Sequence, residues 1–167
     1  MSRLAYIFER FPSYTQTFCF REVAELQRQN FTPLIYSVRQ PANESIPAPE
    51  MKVAKTTYLP PEDTLVREVD RAARKRRLPA SAVDELAAWG RKTDFLRLYQ
   101  AAWLGPRLQE QGIKHVHAHF AGLAARTAYW IDRFFGIGFS FTVQKKIGWE
   151  QVFQNNVIGI GAAAGVV

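Results

Sequence analysis

Short apolar runs alternate with amphipathic stretches along most of this chain. The apolar runs predict strands at residues 4–8, 32–38, 57–59, 115–119 and 139–142. Apolar residues at helical spacing predict helices at residues 15–29, 121–135 and, with breaks near Pro79, Gly90 and Gly105-Pro106, at residues 62–111. Alternation of strands and helices is typical of a parallel sheet. We therefore predict an α/β fold, a Rossmann-like parallel sheet with helices on both faces and an irregular insertion at residues 39–61.

Composition places the chain among globular proteins. Its 167 residues suffice for one domain with a full core, and 47% of them are hydrophobic. The single cysteine, Cys19, excludes an internal disulfide framework and fits a reducing compartment. We see no signal-peptide pattern before the first predicted strand and no apolar stretch long enough to span a bilayer. These observations predict a cytoplasmic protein.

The formal net charge is +7, and part of it is concentrated in one cluster: Arg71, Arg74, Lys75, Arg76 and Arg77. Such a cluster can meet nucleic acid or an anionic membrane. Alternatively, it is the solvated end of a helix, where cations interact favourably with the helix dipole. No nucleic-acid-binding module accompanies the charge, so we do not expect nucleic acid as a partner.

All three histidines stand at alternate positions of one predicted strand, as His115, His117 and His119. Alternate residues of a strand share a face, so the three imidazoles are expected to line up. A helix start follows directly, and open α/β folds place ligands at such strand–helix turns. Aligned histidines can bind zinc in principle. No carboxylate or cysteine stands nearby in sequence, so we expect no metal.

Two separated segments resemble one branch of glycosyltransferase family 4, the branch that builds bacterial exopolysaccharide and lipopolysaccharide. Phe11-Pro12-x-x-Thr15-Gln16-Thr17-Phe18 is similar to the branch motif F-P-x-x-[ST]-[EQ]-T-F. Residues 115–142 are similar to its H-[IV]-H-A-H-F segment, its alanine-rich helix and its G-I-x-F-S-F-T segment. The resemblance covers most of residues 1–142, with both motifs in the family's order.

The resemblance implies one half of a GT-B architecture, in which two Rossmann-like domains face each other across a cleft. Residues 1–142 would form the N-terminal, acceptor-binding domain, and residues 143–167 a tail unlike the family. The C-terminal domain that binds the sugar nucleotide is absent from these 167 residues. We therefore expect a truncated or frameshifted product, or one partner of a split enzyme, with little or no transferase activity alone.

The resemblance also implies site residues. His119 would be the catalytic residue, at the position of the family histidine that faces the donor sugar, where a neutral imidazole can hydrogen-bond a hydroxyl. The alternative is a structural histidine. The implied substrate-binding residues are Phe11, Pro12, Thr15, Gln16, Thr17, Gly122 and Gln144.

Two features qualify that set. The loop after the first strand can hold a phosphate or a sugar hydroxyl at the start of a helix, and helix capping by Ser13 or Thr15 is a compatible alternative. Gln144 stands where family members carry a histidine. A glutamine side chain forms hydrogen bonds but does not act as an acid or base.

The function implied is the N-terminal half of a retaining glycosyltransferase for cell-surface polysaccharide, without metal or other cofactor. It would move a sugar from a sugar nucleotide to a lipid-linked glycan acceptor. Further expected partners are an anionic surface at the inner face of the cell membrane and a separate donor domain. The alternatives are a non-catalytic glycan- or phosphate-binding module, one half of a split transferase, and a dehydrogenase-like domain. The absence of a glycine fingerprint after the first strand argues against the last.

Overall fold

Parallel pairing joins the strands of the computed structural model, which describes residues 3–13, 17–41, 55–89 and 94–142. In these residues, five strands form one sheet in the order β3-β2-β1-β4-β5. The strands are β1 (Arg3–Arg10), β2 (Leu34–Arg39), β3 (Thr56–Tyr58), β4 (Ile113–Ala118) and β5 (Gly138–Phe141). The helices are α1 (Thr17–Arg28), α2 (Glu62–Arg74), α3 (Ala80–Trp89), α4 (Phe95–Glu110) and α5 (Leu123–Phe135). The predicted α/β, Rossmann-like fold is confirmed.

Helices cover both faces of the sheet, because successive residues of each strand point to opposite faces. Tyr6 and Phe8 of β1 pack against α1, and we call this side the α1 face. Ala5 and Ile7 point to the other side, where the larger core is built with α2, α4 and α5. The central strand β1 is therefore buried on both sides, as its nearly continuous apolar run predicts.

The observed bounds of most predicted elements differ from the expected ones by at most two residues, which is the usual uncertainty at fraying ends. Asn30, with φ of 60°, follows α1, and Gly136, with φ of 64°, ends α5 in the left-handed conformation. Strand β4 begins and ends earlier than predicted, so His119 lies in the turn that follows the strand. The tail at residues 143–167 and the break near Gly90 lie outside the described residues.

One predicted helix break was wrong, because α4 continues through Gly105 and Pro106. Proline lacks the N–H that would bond to the carbonyl four residues earlier, which weakens a helix locally. Packing against α5 offsets that weakness. Gly105 lets the two helices approach so closely that a β-carbon there would overlap the ring of Phe135. Tertiary contact therefore maintains a helix that local propensity would interrupt.

Two further features bear on function. The cluster of five cations lies at the end of α2, with Arg71 and Arg74 in its last turn, and all five side chains are exposed. In the described part of the chain, no helix combines the length and apolar character needed to cross a bilayer.

Candidate functional site

The sheet has a topological switch point between β1 and β4. From β1 the chain proceeds outward to β2 and β3, and then returns to place β4 on the other side of β1. Open α/β sheets bind ligands in the crevice outside the carboxyl ends of strands at such a point. The loop that begins at Phe11 and the turn that begins at His119 lie there. Phe8 and His119 stack directly, with ring centroids 4.5 Å apart and an interplanar angle of 4°.

The imidazole of His119 is enclosed at this junction and is only 1% exposed. Its backbone N–H donates to the Ile7 carbonyl at 3.1 Å, which prolongs the pairing of β4 with β1. The rings of Tyr6 and His117 meet it edge-on, with centroids 5.1 and 5.0 Å away. Burial, and secondly the neighbouring His117, lower the pKa of His119 to about 3. The ring is therefore neutral near pH 7, a hydrogen-bonding group rather than an acid or base.

Polar groups of α1 approach both ring nitrogens of His119. Nδ1 lies 3.6 Å from the sulfur of Cys19, and Nε2 lies 3.8 Å from Oε2 of Glu22. Among the described residues Nε2 has no hydrogen-bond partner. Burial, and secondly Glu22, raise the pKa of Cys19 to about 12. A neutral thiol beside a neutral imidazole is not the thiolate–imidazolium pair of a nucleophilic cysteine, so this pair does not define a Cys–His nucleophile.

The other two histidines share one hydroxyl on the α1 face. His115 Nε2 and His117 Nδ1 each lie 2.8 Å from Oγ of Ser140 in β5. A serine hydroxyl has one proton to donate, so it donates to at most one of the two ring nitrogens, and at least one ring N–H donates to it. Burial lowers the pKa of both histidines. The predicted alignment of the three imidazoles on one face is confirmed. In the described residues, no group of three or more His, Cys, Asp or Glu side chains is arranged to hold a metal ion.

The predicted substrate-binding residues occupy two kinds of surroundings. Phe11, 3% exposed, stacks on Phe8 with centroids 4.4 Å apart, and its N–H donates to Ser37 Oγ at 2.8 Å. Pro12 is also buried, so both side chains support the loop from inside. Thr17 and Gly122 are exposed at the amino ends of α1 and α5. Thr15, Gln16 and Gln144 lie outside the described residues.

Glu9, the last but one residue of β1, also lies at this edge of the sheet and is not among the site residues predicted from the sequence. Its Oε1 lies 3.6 Å from an Nη of Arg39, at the end of β2. A β-carbon on Gly122 would lie 3.6 Å from its Oε2, so this carboxylate stands beside the amino end of α5, where a helix dipole favours negative charge. The signal available in the sequence was a charged residue directly after the apolar run of β1.

Fold and site together define an α/β protein with a Rossmann-like strand order and a candidate ligand crevice at its switch point. No protein-family model, curated protein or solved structure matches the chain.

Proposed function

We propose that this chain is the acceptor-side, N-terminal domain of a retaining glycosyltransferase with GT-B architecture. The observation that carries the proposal is the meeting of the two family-like motifs at the carboxyl ends of β1 and β4, the adjacent central strands. Phe18 of the first motif joins them through ring contacts with two residues of the second, His119 with centroids 6.4 Å apart and Phe120 with centroids 5.8 Å apart. The crevice there receives the glycan acceptor, and a sugar nucleotide on a separate donor domain faces it.

His119 acts in this proposal as a neutral hydrogen-bond partner for a sugar hydroxyl. Its Nε2, which has no partner among the described residues, is the atom that would receive the hydroxyl. Phe18 lies over the buried ring, with centroids 6.4 Å apart, and is itself 39% exposed. In this proposal a sugar reaches Nε2 once Phe18 turns away. Thr17, the residue before Phe18, and Gly122, at the amino end of α5, are both exposed.

The cations at the end of α2 support a second element of the proposal, attachment to an anionic membrane. All five are exposed, and none forms an ion pair with another described residue. Each Lys or Arg near an anionic lipid surface contributes about 1 kcal/mol of attraction. We expect the protein to sediment with anionic vesicles and not with neutral ones. If the double variant Arg74→Glu with Arg76→Glu binds the vesicles equally well, the cluster does not attach the protein to the membrane and is only the solvated end of a helix.

Sugar transfer tests the main proposal. Transfer of labelled sugar from a panel of sugar nucleotides to a membrane lipid extract is measured with the chain alone and with an added donor domain of the same family branch. We expect transfer only in the second case. Absence of transfer with every donor, in the presence of a competent donor domain, would refute the proposal.

Two matched variants separate the role of His119 from that of the fold. His119→Phe keeps an aromatic ring against Phe8 and removes Nε2, so we expect folding without transfer. His115→Phe changes the same strand face two positions below His117, away from the crevice, and is expected to retain transfer. Equal transfer by the two variants would exclude a role for His119 Nε2.

A further inference from the structure

A second concavity lies at the carboxyl edge of the sheet, formed by the ends of β1, β2 and β3 and by the first turns of α2 and α4. Its volume is about 430 Å³, within the range of sites that hold small molecules. Cationic and apolar residues share its wall: Arg10, Arg39, Arg97, Leu59, Pro61 and Leu65. Nothing in the proposed transfer chemistry assigns a role to this cavity.

Arg97 is the most unusual residue of the wall. It is only 8% exposed, and its Nε has no hydrogen-bond partner among the described residues. Burial, and secondly the nearby Arg39, lower its pKa, while Glu9 and Glu62 act in the opposite direction. A buried guanidinium is costly unless an anion compensates it. Neither of the nearby carboxylates, Glu9 and Glu62, forms a hydrogen bond with Arg97 Nε.

Arg39 places a second guanidinium group in the wall, near that of Arg97. Its Nη lies 3.6 Å from Oε1 of Glu9, and Glu62 also lies in the wall, but among the described residues no carboxylate forms a hydrogen bond with Arg97 Nε. The amino ends of α2 and α4 contribute the first turns of the wall, and helix amino ends carry partial positive charge. The buried Nε of Arg97, the neighbouring guanidinium of Arg39 and the two helix amino ends together favour an anion as the ligand of this cavity.

We propose that this cavity binds the phosphate group of a small organic phosphate, held by the guanidinium groups of Arg97 and Arg39. A guanidinium presents parallel N–H groups that pair with two phosphate oxygens at once. The cavity volume leaves room for the organic part against the apolar wall at Leu59 and Leu65. The inference stands without the proposed transferase function; where both hold, the phosphate belongs to the acceptor.

Isothermal titration calorimetry in phosphate-free buffer tests the site, with inorganic phosphate, glucose 6-phosphate, glucose and acetate as probes. We expect saturable binding of both phosphates, weaker at high salt, and none of glucose. Arg97→Met keeps most of the side-chain volume and removes the charge, so affinity should fall at least tenfold. Arg107→Met makes the same change on the same helix outside this cavity and should bind as the unaltered chain does.

Each outcome decides the inference. Loss of binding in Arg97→Met alone supports it; equal binding by both variants, no saturable binding at all, or equal affinity for acetate overturns the phosphate site. Circular dichroism reports whether Arg97→Met folds, and if it does not, Arg39→Gln, at a side chain 54% exposed, supplies the same comparison. Phosphate binding without sugar transfer would overturn the transferase proposal only, and transfer without arginine-dependent phosphate binding would overturn this inference only.

Discussion

Replacement of His119 by phenylalanine is expected to remove a pH-dependent loss of stability. The imidazole is buried, stacks on Phe8, and has a pKa of about 3 in the folded protein against 6.5 for an unperturbed histidine. The titratable groups that face it are Tyr6 of β1, Cys19 and Glu22 of α1, and His117 of β4. Glu22 is held in place by the hydroxyl of Tyr6, which donates to its Oε1.

The sign of the effect follows from the lowered pKa. Between pH 6.5 and about 3 the unfolded chain binds a proton that the folded protein does not, so the free energy of unfolding rises with pH across this range. The stability due to His119 is complete above pH 6.5 and is lost as the pH falls toward 3. Since one pKa unit corresponds to about 1.4 kcal/mol, the loss from pH 7 to pH 5 is about 2 kcal/mol.

Urea unfolding of the unaltered chain and of His119→Phe, at pH 7 and pH 5, measures this loss. At pH 7 the two proteins should agree within about 1 kcal/mol, because the phenyl ring keeps the shape and removes a buried nitrogen without a partner. At pH 5 the variant should have lost about 2 kcal/mol less than the unaltered chain.

The comparison between the two proteins is its own control. His115 and His117, whose pKa values are also lowered by burial, titrate in both proteins, and their contribution cancels. Equal losses in the two proteins would mean that His119 takes up its proton without unfolding, which contradicts the argument from burial.

Two further substitutions test the packing of α4 and the shared hydroxyl, each by urea unfolding at pH 7. Gly105→Ala should destabilise the protein by about 1–3 kcal/mol despite the helix preference of alanine, because its β-carbon overlaps the ring of Phe135. In a Phe135→Ala background the same change should stabilise the protein by up to about 1 kcal/mol. A stabilised single variant would contradict the close α4–α5 contact. Ser140→Ala should cost about 1–2 kcal/mol because His115 and His117 lose their common partner, whereas Ser140→Thr keeps the hydroxyl and most of the stability. Equal losses for alanine and threonine would exclude the hydroxyl as the cause.

The histidine strand shows how far the amino-acid pattern reaches into the site. Alternation along residues 115–119 was enough to predict that the three imidazoles share a face, because the period of a strand is two residues. The partner of two of them, Ser140, required the pairing of β4 with β5. The neutrality of His119 required α1 and β1 to close over it, which no feature of its own strand predicts.

Arg97 and helix α4 show the same difference between what the local sequence predicts and what the tertiary structure determines. Nothing near Arg97 in sequence indicates a buried guanidinium beside Arg39, since the two residues meet only where the ends of β2 and α4 converge. Pro106 locally favours a break, and the contact of Gly105 with α5 outweighs it.

The order of residues was sufficient to predict the strand and helix positions and the faces of alternating residues. It also contained the two motifs that resemble a glycosyltransferase branch. These features depend on local periodicity and on residue type, which the chain carries everywhere along its length. The strand order, the depth of His119, the continuity of α4 and the burial of Arg97 came from the folded arrangement. Burial, close packing and electrostatic interaction depend on groups far apart in sequence, and folding alone brings those groups together.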